Sequence, residues 1–432
     1  MNRREFVSTS FYAAQPLGLT AQRSSAANAA IEQARQAGMD VLKPSRKDLE
    51  HGLELHAQSL VIESYGFSPN SAIDGEALSA AIAAGASAGE LQDLQEEMNM
   101  TRHVTVPSER TEYRQAWDSS GVTCILQNAG EEGQDPERLI KRLARFTYVT
   151  DRLGGFVIRA ATPDAIVEAR KQKKHCLYFS GNGVPLSQSW ATVHDELSYI
   201  RVFFQLGIRM MHLTYNRRNM LADGCAETAN GGLSDLGRAA IAEMNRVGVI
   251  VDVAHTGWRS SLEAAQASSR PMVASHSGCV ALHQHIRSKP DEVIRAIADT
   301  GGYVGVFSIS GFLGRGGDLA AMLDHIDYIR KHYGADHAAI GTDIAYRSQS
   351  SAAESAKVSV RPKFRPRFEN FWPGDTYASA RQHPSLAWVN WPLFTVGMVQ
   401  RGFSDSEIQK ILGGNVLRVA RAVFPAATEP RP

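Results

Sequence analysis

Two histidines and one aspartate carry the first chemical signal in this chain of 432 residues. His255 closes the run Val251-Asp-Val-Ala-His255, and His276 closes Val273-Ala-Ser-His276. If both runs are neighbouring parallel strands, two imidazoles converge at one rim, as a zinc-type site requires. Gly341-Thr342-Asp343 ends a third apolar run and adds a carboxylate able to act as base or ligand. A lone strand-end histidine is ordinarily a satisfied polar residue; two at equivalent positions are more specific. Weaker candidates surround them. Asp252 shares a strand face with His255 and reads as its hydrogen-bonding partner. Glu63 is expected in a salt bridge, and His283 and His285 in structural hydrogen bonds. Tyr65 and Tyr215 could donate to a substrate carbonyl or relay a proton, or simply pack with their polar tips at a rim.

Such convergence needs a scaffold that aims many strand ends at one point. Eight continuous apolar runs are predicted as strands: Leu60–Glu63, Val122–Gln127, Cys176–Phe179, Met210–Thr214, Val249–Ala254, Met272–Ser275, Gly302–Phe307 and Ala338–Thr342. Runs without alternation suit a parallel sheet covered on its faces. Helical patterns fill the gaps: Leu233–Val247 is amphipathic, and Pro290–Thr300 starts with proline and two acids and stops before two glycines. Ser404 and Glu407 form a capping box for a helix expected to end at Gly413-Gly414. The alternation predicts a (β/α)8 barrel over residues 41–425, with polar strand-end residues facing one mouth. Insertions at 70–117 and 345–390 follow strands one and eight and should lie over that mouth. The second contains Arg361-Pro-Lys363, Arg365-Pro-Arg367, Phe368, Phe371 and Trp372, read as a solvated loop. Residues 426–432 are a tail.

Composition excludes several classes. Hydrophobic residues make up 43%, enough for a large core. Lys and Arg number 46 against 45 Asp and Glu, so no nucleic-acid or membrane-surface role is expected. No apolar run reaches the roughly 18 residues of a membrane-spanning helix. Cys124, Cys176, Cys225 and Cys279 form no Cys-x-x-Cys pair, which argues against a sulfur-ligated zinc site and a disulfide framework. Within residues 1–40, Arg3-Arg4 resembles a twin-arginine export signal, but the following stretch is too polar for its apolar region. The expectation is a cytoplasmic protein, with periplasmic export as the alternative.

The segments LGIRMMHLTYNRRN, GGLSDLGRAAIAEMNRVGVIVDVAHTG and RPMVASHSGCVALHQHIRSKPDE resemble the membrane dipeptidase (renal dipeptidase) family of metallopeptidases. So does the closing segment from Trp391 to Phe424. The resemblance implies a barrel metallohydrolase that cleaves dipeptides at two zinc ions bridged by a glutamate, often as a homodimer. By that resemblance His255 and His276 match two ligands of one zinc, Arg287 the group that holds the substrate carboxylate, and Asp343 the proton-handling aspartate. The remaining family positions depart from the pattern. Tyr65 and Phe67 stand where strand one supplies a histidine and an aspartate. Gly181 or Ser180 replaces the bridging glutamate, and Tyr215 replaces a histidine after strand four. Phenylalanine cannot ligate a cation and neutral tyrosine is a poor zinc ligand. The expectation is therefore a single divalent metal, zinc, at His255 and His276, completed by Asp343 or water and serving dipeptide or small-amide hydrolysis. The alternatives are lyase or isomerase chemistry without metal, using Tyr65, Tyr215 and Asp343, or a catalytically inactive ligand-binding homologue.

Overall fold

The computed structural model describes residues 28–130, 136–189, 191–358 and 382–424. Eight parallel strands follow one another around a barrel: β1 (Ile62–Gly66), β2 (Cys124–Asn128), β3 (His175–Gly181), β4 (Ile208–His212), β5 (Ile250–Asp252), β6 (Val273–Cys279), β7 (Tyr303–Val306) and β8 (Ala338–Ile340). Each expected strand is present. Two short strands were not expected: Val157–Arg159 beside β3, and Ser288–Lys289 beside β6. The seam between β8 and β1 is closed by the Asp343 amide, which donates to the Tyr65 carbonyl at 3.3 Å.

A repeated local rule builds the barrel. Helix Val193–Leu206 ends at Gly207 (φ +114°) and β4 begins at the next residue; helix Asp235–Val247, capped by Ser234, ends at Gly248 (φ +96°) just before β5. A glycine in the left-handed region stops the helix and turns the chain back along the barrel wall without a Cβ penalty. Helix Asp291–Asp299 matches its expected span closely. The capping box Ser404–Glu407 is present, but its helix does not end the structure at the double glycine. A π-type turn, Lys410–Gly414, carries the chain into helix Asn415–Val423, because Gly413 lies against the Leu60 carbonyl where a side chain would not fit.

Inside the barrel, Ile62, Cys124, Tyr178, Met210, Ile250, Val273, Tyr303 and Ala339 form one buried layer. Strand side chains alternate, so two residues further along come Ser64, Ser180, His212, Asp252, Ser275, Gly305 and Gly341, with Leu126 the one large apolar residue at this level, all within or just past their strands. Apolar packing therefore gives way to small and polar groups as the strands approach their carboxyl ends.

Residues after β1 and after β8 are joined. Asn70 pairs with Arg347, and the Gly75 amide donates to Glu354. Helices Gly75–Ala83, Ala88–Thr105 and Pro107–Ser120 occupy the first insertion, pinned by Arg142 and Arg145 of helix Pro136–Arg152 to Glu96 and Glu97. The basic and aromatic stretch at Arg361–Trp372 and the Arg3-Arg4 start lie outside the described residues.

Candidate metal centre at the barrel mouth

His255 and His276 meet as expected from their strand ends. Their Nε2 atoms are 2.9 Å apart and both rings are buried. Two nitrogens bound to one tetrahedral zinc at ~2.05 Å sit roughly 3.3 Å apart, so the pair is close to ligating geometry. Each Nδ1 is occupied: His255 Nδ1 donates to Asn216 Oδ1 at 2.8 Å, and His276 Nδ1 lies 2.8 Å from the Ser275 hydroxyl. The Asn216 oxygen fixes His255 as its Nδ1–H tautomer, so its Nε2 carries a lone pair that accepts from His276 Nε2–H, while the Ser275 hydroxyl can donate to His276 Nδ1; a bound cation would take the place of that shared proton. Burial pushes both imidazoles well below their usual range, and the Arg287 guanidinium adds to it. Both are therefore neutral, as ligands must be.

A third imidazole joins them that the sequence reading passed over. His212 ends β4 and is fully buried; its ring centroid is 5.3 Å from those of both His255 and His276. Its neighbour across the sheet register is Asp252. The His212 Nε2 lies 2.6 Å from Asp252 Oδ2, yet without hydrogen-bond alignment: neither His212 nitrogen nor Asp252 Oδ2 has a hydrogen-bond partner among the described residues. Asp252 Oδ1 is firmly held, accepting from the Ala254 and Ser275 amides at 2.9 and 3.0 Å. Burial would raise this carboxyl, but the His212 imidazole and the Ser275 amide outweigh it and keep the group ionised. One ligand atom each from His212, Asp252 and His276 falls within 4.8 Å of the other two. Orphaned buried nitrogens and an ionised carboxylate are costly without a partner, and imidazole with carboxylate suits a zinc-like cation. The residues present fit a metal. The available signal was a histidine directly after two apolar residues, Met210-Met211-His212, at a strand end. Asp252 contacts His212 and Ser275 rather than His255, which corrects its expected pairing.

Asp343 takes a left-handed backbone (φ +59°), which aspartate tolerates better than most residues. Its Oδ2 stands 4.0 Å from His276 Nε2. Burial raises its carboxyl to about 6, against the pull of Arg287 and His212. Arg287 is buried on the loop between β6 and the short strand Ser288–Lys289. Its carbonyl accepts from Ser277 at 2.6 Å, while its Nε and Nη2 have no hydrogen-bond partner among the described residues. His285 accepts from the Arg287 amide and stacks on Phe312, a structural role as expected.

The opposite rim is closed. Tyr65 stacks on His276 with centroids 4.0 Å apart and donates its hydroxyl to Asn182 Oδ1 at 2.5 Å. Phe67 packs edge-on against Tyr65, and Gly181 stands where β3 ends. Tyr215 stacks on His255 at 4.2 Å. Among the described residues Glu63 makes no salt bridge. It accepts from the Thr342 amide at 3.2 Å, the Thr342 hydroxyl and the Trp388 indole at 2.7 Å, and burial raises it to about 8. It spans the β8–β1 seam as a neutral acid, where an ion pair would have carried a larger desolvation cost.

Among solved structures, an amidohydrolase from Pseudomonas aeruginosa aligns with a TM-score of 0.62 at 26% identity, covering 86% of this chain and 99% of its own. Dipeptidase tcpJ of Claviceps purpurea is 27% identical over 238 residues, 54% of this chain and 49% of that protein. Dipeptidase verJ of Clonostachys rogersoniana is 28% identical over 231 residues, 52% and 50% respectively. The chain thus spans about half the length of the curated relatives it matches. The family profile of membrane dipeptidase, peptidase family M19, matches residues 122–354, and with this span and the barrel around it the chain belongs to the membrane dipeptidase family.

Proposed function

We propose that this chain is a dipeptidase-like metallohydrolase with a single divalent cation, zinc, held by His255 and His276. The observation that carries the reading is the pair of facing Nε2 atoms 2.9 Å apart, with the unpaired Arg287 fork and Asp343 in the same buried mouth. When bound, the cation supplies Lewis acidity to the scissile carbonyl and the attacking water. Arg287 takes the substrate's terminal carboxylate through its free Nε and Nη2, a planar charge-assisted pairing. That contact fixes the dipeptide's position relative to Asp343. The Asp343 carboxylate accepts the proton released as water adds to the carbonyl, and returns it to the departing amine as the C–N bond breaks. Tyr65 has committed its proton to Asn182 and can only accept from a substrate, whereas Tyr215 lies at the rim against His255. A homodimer rests on the resemblance alone. Among the described residues no helix is long and apolar enough to cross a membrane.

Amine release from a panel of dipeptides and small amides tests the reading. Turnover should disappear on exhaustive chelation and return with zinc. Arg287→Met should raise KM by about 10- to 150-fold, the equivalent of roughly 1.5–3 kcal/mol for a charge-assisted pair. Full activity after chelation would overturn the proposal. A second reading, carboxylate binding without hydrolysis, is favoured by the aromatic filling of the β1 rim; it predicts ligand binding through Arg287 with no turnover.

A further inference from the structure

We propose that His212 and Asp252 are direct ligands of the single cation, so that its carboxylate ligand comes from β5 and not from Asp343. The inference rests on the reading that His255 and His276 hold a metal, and adds where that metal gets its remaining donors.

Strand register makes the argument. His212 and Asp252 are register partners on adjacent parallel strands, so their side chains leave the sheet side by side on one face. His276 comes from the next strand, and its ligand atom closes a triangle with theirs inside 4.8 Å. All three residues are fully buried. The His212–Asp252 contact is 2.6 Å long, but the ring N–H is not aligned along it, and neither His212 nitrogen nor Asp252 Oδ2 has another partner among the described residues. One lone-pair nitrogen of His212 and Asp252 Oδ2 are therefore available to a common cation. Oδ1 of the same carboxylate is anchored by two amides, which fixes the group as an outer-shell network fixes a ligand. Two imidazoles and a carboxylate make up a recurrent catalytic zinc set, with His255 beside it at the open, mouth-facing side. The losses at Tyr65, Phe67 and Gly181 are then compensated from the opposite wall. Asp343, 4.0 Å from His276 Nε2, is left free for proton transfer.

The test reads the metal and not the rate. Full-length protein is stripped by chelation and reloaded with zinc or, as a spectroscopic probe, Cu(II). Affinity comes from chelator competition, and the number of coordinating imidazoles from X-ray absorption or pulsed EPR. Wild type should bind one ion with three histidine nitrogens. His212→Ala should retain two and weaken binding by more than the 10- to 100-fold that an outer-shell change typically costs. His212→Gln, which keeps the volume, guards against a folding defect, with circular dichroism of the metal-free variants as a control. Asp252→Asn should weaken binding while the imidazole count stays at three. If His276→Ala abolishes binding but His212→Ala keeps wild-type affinity and the same imidazole count, this inference is overturned and the His255–His276 reading stands. If wild type binds neither ion, both fall.

Discussion

The two halves of the barrel mouth are built from similar strand ends and differ in what those ends can do. Along β4, β5 and β6, the ends deliver His212, Asp252, His255 and His276, buried and with donor atoms turned toward one another. Along β1 and β3, the ends deliver Tyr65, Phe67, Gly181 and Asn182, whose polar atoms satisfy each other and whose rings pack. On that side the Tyr65 ring lies flat on His276. One side of a barrel mouth can thus be filled by aromatic stacking and a single hydrogen bond while the other keeps its donor atoms together. The single-cation site proposed above draws its donors from the second side, His212 among them.

Three perturbations sharpen this contrast. The largest effect should come from the working rim. Asp343→Asn keeps a residue that accepts a left-handed backbone and removes the proton acceptor, so kcat should fall about 10²- to 10⁴-fold with metal content unchanged. Steady-state kinetics beside elemental analysis checks it, and loss of metal in this variant would make Asp343 a ligand after all. The next effect belongs to the closed rim and is read in pH. Glu63 carries a proton in the fold up to about 8, whereas an ordinary glutamate releases it near 4.5. The folded state thus binds more protons between these values, and the stability that Glu63 contributes is full below about 4.5 and is lost as pH rises toward about 8. Glu63→Gln keeps the acceptor for Trp388 and cannot ionise, so its Tm advantage over wild type should grow from pH 5 to pH 8. Each kcal/mol is worth only about 1 °C in a chain of this length, and a pH-independent difference would contradict the neutral acid. The smallest effect is Tyr65→Phe, which removes the bond to Asn182 and keeps the stack. About 1 kcal/mol of stability should go in denaturant unfolding, with metal affinity unchanged. A gain or loss of a second ion would show that the closed rim is not closed.

Much of this arrangement was written in local patterns. Continuous apolar runs separated by capped helices are a chain-local signal, and all eight barrel strands follow from them. His255, His276 and Asp343 could be singled out because each sits where an apolar run stops. His212 was not, because it lies inside its run. Its importance comes from sheet register with Asp252, a relation between residues forty positions apart that no spacing along one strand displays. Glu63 misled for a related reason. A strand-end carboxylate ordinarily finds a cation, but here the barrel seam presents only neutral donors, the Thr342 amide and hydroxyl and the Trp388 indole.

What the sequence determined by itself is the barrel, its family and the residue types at the strand ends, Tyr65, Phe67 and Ser180-Gly181 among them, since periodicity and residue chemistry are properties of the chain. The tertiary structure decided which survivors touch. It set His255 and His276 nitrogen to nitrogen, left Arg287 Nε and Nη2 without a hydrogen-bond partner among the described residues, laid Tyr65 on His276, and brought His212 to Asp252. The physical reason is that ligation and hydrogen bonding act over about 3 Å, and only the closure of eight strands into a ring sets distances that small between residues so far apart in the chain.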